Sequence, residues 1–170
     1  MKKITTRNMV LIALLSGISY LFFMFEIRII DPLQFDLSDL FVMIAGYLLG
    51  VVPGILVALL KNILHLMFKS EGLIGELTNF IYALLIMIPL VKLKAKNLNQ
   101  VLVTTTSIVI FVTLMINVFN YFIAMPIYGI AQEIRIPMIL STFVPFNLIK
   151  TSVLLIIFYF VKPFINRLDS

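Results

Sequence analysis

The stretch STFVPFNLIKTSVLLIIFYFVKPF, residues 141–164, decides how the whole chain is read. At about 1.5 Å of rise per helical residue, roughly 20 residues cross a hydrocarbon core of about 30 Å, so this run is long enough to span a bilayer. Two residues near its start do not suit that solvent. Asn147 and Lys150 are three positions apart, hence on one helix face, and neither an amide nor an ammonium belongs in lipid without a partner.

The remaining composition also points to a membrane. Of 170 residues, 62% are hydrophobic and only 12% are charged, with a mean hydropathy of +1.14. A soluble domain is nearer half apolar and a quarter charged. So short a chain has no means of burying this much apolar surface from water, and the bilayer must do it. Further apolar runs occupy residues 8–25, 37–49, 54–68, 73–91 and 101–128, which gives six spans. The second is short, ended by Gly50 and Pro53, and residues 26–36 form a polar loop. The basic start followed by an apolar run has no small-x-small cleavage site, so it reads as a first span and not a cleaved leader. The fold class expected is an all-α integral membrane protein, a compact bundle of six transmembrane helices. One transmembrane substrate-binding domain is expected over 1–170, because no linker, low-complexity stretch or repeat divides it.

Charge sets the orientation. With six spans, Lys2, Lys3, Arg7, Lys92, Lys94, Lys96, Lys162 and Arg167 share a side. The other side holds Arg28, Lys69 and Arg135 among Glu26, Asp31, Asp36, Asp39, Glu71 and Glu133. The positive-inside rule therefore places both termini in the cytoplasm and the acidic loops outside. The net charge of +5 is topology and not affinity for nucleic acid. There are no cysteines, which excludes thiolate catalysis and Fe–S clusters, and no G-x-x-x-x-G-K-[ST] loop for ATP.

Polar residues inside spans are site candidates by default. In LLKNILHLM (59–67), Lys61 and His65 share a face with Asn62 beside them. They suit either a ligand, ion or proton path or a contact between helices, and the lone imidazole argues against zinc. In GLIGELTNF (72–80), Glu76 is favoured by the dipole of a helix N-terminus, whereas Asn79 has no such explanation. In MINVFNYFIAMPIYG (115–129), Asn120 lies nearer the outside than Asn117, with Tyr121 following. Pro145 lies in or near the first turn of the last span, which leaves Lys150 near the end of the helix whose dipole disfavours a cation. Lys150 therefore needs a partner. Asn79, Asn120, Asn147 and Lys150 all fall toward the outer ends of spans four to six, without a carboxylate deep in the membrane. Such amides and one cation suit a neutral, flat, heteroatom-rich molecule better than a metal or a cation such as thiamine. Phe35, Phe80, Tyr121, Phe122, Phe143 and Phe146 can supply an apolar lining. No nucleophile–base pair stands out, so no enzyme is expected.

FDLSDL (35–40), LLKNILH (59–65), GELTNF (75–80), NYFIAMPIYG (120–129) and VPFNLIK (144–150) occur in that order. Together they make the chain, over roughly 34–162, resemble the riboflavin-binding substrate-capture components of energy-coupling factor transporters. The resemblance implies a multi-pass subunit of a bacterial-type plasma membrane that binds riboflavin near the outer face and has no prosthetic group. It implies Asn120, Asn147 and Lys150 on the flavin, Asn79 as a further contact, and the loop before Asp36 closing over the ligand. It also implies a transmembrane coupling protein and two ATPases as partners, docked through small residues of helix one. Ala13 and Gly17 form such a pair here, with glycine where the family usually has a second alanine. Two alternatives remain at this point: a component for another vitamin or cofactor precursor, and a stand-alone ion-coupled carrier using Lys61, His65 and Glu76.

Overall fold

The computed structural model describes residues 5–30, 33–69, 72–93 and 97–168. Lys2, Lys3, Asp31, Glu71, Lys94 and Lys96, used above for orientation, lie outside them. Helix α1, Thr6–Met24, starts on Thr5, whose hydroxyl accepts the Asn8 amide at 3.3 Å. Residues 26–36 are not the loop expected. They hold an antiparallel hairpin, β1 (Ile27–Ile30) with β2 (Leu33–Phe35), in which Ile27 faces Phe35 and Arg28 faces Gln34. β-Branched Ile27, Ile29 and Ile30 favour strand.

Helix α2, Ser38–Leu49, is followed without a loop by α3, Val51–Phe68. Gly50 between them has φ +106°, a left-handed value that side chains resist, so the chain reverses on one residue. Pro53 does not end α2; it sits in the first turn of α3, where its missing N–H costs nothing. Helix α4 is Leu73–Lys92 and α5 is Leu98–Phe119. A π-helical turn, Asn120–Ala124, continues α5 into the short α6, Met125–Ile127. Helix α7, Gln132–Met138, then runs through a second π turn, Ile139–Phe143, into α8, Val144–Leu168. Five of these passages are long and apolar enough to cross a membrane, and α2 is a sixth, shorter apolar helix.

The short α2 lies at the centre. Val42, Met43 and Ala45 pack with Val57 and Ala58 of α3, Ile86 and Met87 of α4, Val112 of α5 and Leu154 and Leu155 of α8, all fully buried. Close approach of α2 and α3 depends on glycine, because a Cβ on Gly54 would lie 2.9 Å from the Gly46 Cα. Apolar side chains such as Leu14, Leu21, Ile110, Leu114, Ile156 and Phe160 point away from the core. In water such a surface would be a liability, whereas in a bilayer it is the solvated face. At the end remote from the hairpin, Tyr47 donates to Asn166 at 3.0 Å and Lys162 lies 5.3 Å from the rings of Tyr47 and Tyr159.

Candidate ligand-binding site

At the hairpin end the helices part around a cavity of about 280 Å³, close to the lower bound for small-molecule pockets. The start of α4 contributes Gly75, Glu76, Thr78, Asn79 and Tyr82, while the first π turn contributes Asn120 and Ala124. Phe143 of the second π turn and Phe146, Asn147 and Lys150 of α8 form the facing wall. Leu33 and Gln34 of β2 lie across it.

The two π turns explain how adjacent passages expose amides to one space. Each ends just before a proline, Pro126 or Pro145, which lacks an N–H and crowds the carbonyl four residues earlier. A wider turn relieves that conflict: the Met125 amide bonds to Asn120 O, and the Val144 amide to Ile139 O, five residues back in each case. Beyond α6, Gly129 at φ +72° turns the chain back toward α7. The expectation that Pro145 opens the last helix is therefore corrected. Helical structure begins at Gln132, so Lys150 is remote from a helix N-terminus and the dipole has little hold on it.

What holds Lys150 is a buried group of charges. Its ammonium donates to Asp36 Oδ2 at 3.0 Å and to Gln34 O at 3.4 Å, and lies 3.8 Å from Asp39 Oδ2. The other oxygen of Asp39 meets Lys61 Nζ at 2.5 Å, and Lys61 also donates to Ser38 Oγ at 2.6 Å. Asp36 Oδ1 accepts the Ser38 amide at 2.9 Å and the Ser38 hydroxyl, which starts α2 in the manner of a cap. The partner expected in a ligand is thus supplied first by protein carboxylates. Asp36, Asp39 and Glu76, placed at the outer side by the sequence, are all buried within the protein. Two cations and two carboxylates leave this group electrically neutral. Tyr82 completes it, with its ring 4.8 Å from Lys150 Nζ and its hydroxyl 2.9 Å from Thr151 Oγ1.

A second cluster borders the cavity beside α1. His65 Nδ1 lies 2.6 Å from Glu76 Oε1, its ring stacks on Phe23 at 3.8 Å, and Nε2 faces Glu26 Oε2 at 3.9 Å. Glu26 Oε1 meets Lys69 at 3.1 Å. Leu33, Met125 and Phe143, all on the lining, form a small apolar cluster of their own. The cavity accordingly presents polar groups and an apolar cluster to one space.

Asn79, Asn120, Asn147 and Lys150 are brought together on its lining. Asn147 is 4% exposed and its Nδ2 has no hydrogen-bond partner among the described residues, and neither has Asn79 Oδ1. The structure puts Phe35 and Tyr121 elsewhere. Phe35 pairs with Ile27 in the hairpin. Tyr121 lies edge-on to Phe122 at 4.9 Å, along an apolar groove between α5 and the start of α8 that both π turns also line. Phe80 packs against the core and is also absent from the lining, whereas Phe143 and Phe146 are on it. Sequence reasoning missed Gln34, Thr78, Tyr82 and the joining of His65 to Glu76 at the cavity. Ala13 and Gly17 lie on the outward side of α1, and no heavy atom is within 4 Å of a Cβ built on Gly17.

The family model described as ECF transporter, substrate-specific component, matches residues 7–161. The chain is 32% identical to the Riboflavin transporter RibU of Staphylococcus aureus (strain TCH60), over 89% of this chain and 86% of that one. It is 25% identical to the Riboflavin transporter FmnP of Bacillus subtilis (strain 168), over 96% of each. Its fold matches a solved structure described as the S component of a bacterial ECF transporter, with a TM-score of 0.81 and 26% identity over 96% of this chain and 98% of that chain.

Proposed function

This chain belongs to the substrate-specific components of ECF transporters, and from that premise we propose that it captures riboflavin for uptake. It is a substrate-binding transport subunit and not an enzyme. The observation that carries the ligand assignment is the cavity's mixed lining, three asparagine amides and the Lys150 ammonium together with an apolar cluster. Such a lining suits a flat molecule that has both heteroatoms and an apolar edge. The polar edge of an isoalloxazine ring offers carbonyls and an N–H. The Asn147 amide and the Lys150 ammonium can donate to the carbonyls, and Asn79 Oδ1 can accept the N–H. Asn120 is on the same lining, and the dimethyl edge of the ring suits Leu33, Met125 and Phe143. Two relatives named as riboflavin transporters support the same ligand.

The charge distribution supports cytoplasmic termini in a plasma membrane, with the hairpin end outside. The chain acts as one domain over 1–170, energised by a transmembrane coupling protein and two ATPases. Ala13 and Gly17, small and outward-facing, are the proposed contact with the coupling protein. The carrier reading built on Lys61, His65 and Glu76 loses its free cation, because Lys61 is committed to Asp39. Titration of riboflavin with the purified protein tests the assignment through quenching of flavin fluorescence. Saturable quenching is expected. Undiminished fluorescence at excess protein, with the protein shown to be folded, would refute it.

A further inference from the structure

The β1–β2 hairpin covers the cavity, with Leu33 buried in its apolar cluster. Ile27 and Ile29 are 65% and 57% exposed, and among the described hairpin side chains only Leu33 is buried. Polar contacts also fasten the hairpin near its two ends. Before β1, Glu26 meets Lys69 and faces His65. After β2, Asp36 meets Lys150, and the same ammonium holds the Gln34 carbonyl.

The two halves of the buried charge group are not equivalent. Lys61 and Asp39 join α3 to α2, are wholly buried and lie outside the cavity lining. Lys150 is on the lining, and its partner Asp36 follows directly on the strand that crosses the cavity. One ammonium with three N–H donors thus faces the hairpin and the ligand space together. A ligand cannot leave past β2 unless β2 moves. Moving β2 means withdrawing Gln34 O and Asp36 from Lys150.

We propose that Asp36 is a positioning residue which, through Lys150, latches the hairpin over the cavity and so sets how long a bound ligand stays. The inference rests on the cavity being the ligand site. It assigns Asp36 no contact with the ligand. Breaking the latch therefore speeds exit and entry together, whereas removing a ligand contact lowers affinity.

The test uses the full chain in lipid nanodiscs, with Asp36→Asn and the charge-free pair Asp36→Asn/Lys150→Met. Hydrogen exchange is followed by mass spectrometry without ligand. Amides of Ile27–Ile30 and Leu33–Phe35 are expected to exchange about 10- to 150-fold faster, the factor that goes with losing one hydrogen bond to a charged group. Amides of α4 and α5 should keep wild-type rates, which separates a latch from general loosening. In stopped-flow quenching, Asp36→Asn should speed riboflavin dissociation and association by similar factors, because exit and entry pass the same hairpin, and should leave Kd within about threefold. If Asp36→Asn fails to fold because Lys150 is left uncompensated, the double variant has no such charge and must still show the fast hairpin. Wild-type exchange in the hairpin of the folded double variant overturns the proposal, as does unchanged dissociation in folded Asp36→Asn. The exchange arm needs no ligand, so it decides the latch even if riboflavin proves not to bind.

Discussion

Asn147→Leu separates a ligand contact from a structural one by the sign of two effects. In the free protein Asn147 is buried, and its Nδ2 has no partner among the described residues. A buried unsatisfied donor costs about 1–3 kcal/mol, and leucine, branched at the same carbon and facing the cavity, has no donor to leave unsatisfied. The ligand-free protein should therefore keep its stability or gain, with a thermal midpoint raised by about 2–4 °C per kcal/mol recovered. If a riboflavin carbonyl takes this donor, the same term reappears as lost affinity. About 1–3 kcal/mol is roughly 5- to 150-fold in Kd. The pair of measurements is a thermal melt without ligand and a fluorescence-quenching titration. Unchanged Kd with a lowered melting midpoint would show that Asn147 holds the protein together and not the ligand, and would sink the reasoning.

Four further outcomes are expected. Asp39→Asn strands the fully buried Lys61 and should destabilise by about 3–5 kcal/mol, whereas Asp39→Leu/Lys61→Met should recover most of that; denaturation of both variants checks it. Gly54→Leu drives a side chain into the Gly46 backbone and should cost about 1–3 kcal/mol or more. Gly17→Leu meets open space and should leave melting and riboflavin titration unchanged, yet abolish uptake in cells if this face meets the coupling protein. Burial alone would raise the Asp36 carboxyl, but the charges of Lys150 and Lys61 and hydrogen bonds from Ser38 and Lys150 outweigh it and lower it to about 2. A carboxyl depressed below its ordinary value of 3.8 stabilises fully above that value and loses its effect as pH falls through about 2. The wild-type protein and the folded Asp36→Asn variant should accordingly show the same dependence of riboflavin dissociation on pH from about pH 8 to 5, and a difference between them in that window in stopped-flow traces would contradict the Asp36 latch.

The helical passages were legible because hydropathy is a local property, and six runs in the sequence correspond to six helical passages. The site was legible where an amide stood unexplained within such a run, as at Asn79, Asn120 and Asn147. Partners were not legible. Lys150 and Asp36 are 114 positions apart, and Lys61 and Asp39 are 22 apart, so no window on the sequence joins them. The hairpin could have been found: Ile27, Ile29 and Ile30 before Asp31-Pro32 and then Leu33-Gln34-Phe35 is a strand–turn–strand signal. Its charged residues masked it as a polar loop. Tyr121 shows the limit of reading by proximity. One position along a helix turns a side chain by about 100°, so the neighbour of Asn120 faces the groove between α5 and α8 and not the cavity.

The one-residue reversal at Gly50 bears on how the chain sits in a membrane. Helix α2 has 12 residues, about 18 Å of rise, which is too little to cross a core of about 30 Å alone. Helix α3 carries Lys61, a poor passenger for an isolated segment. Joined at Gly50, with Gly46 against Gly54 and Asp39 against Lys61, the two helices cancel each other's defects. The two helices therefore sit in the bundle as one packed pair, the short one at its centre supplying the carboxylate that neutralises the charge of the other.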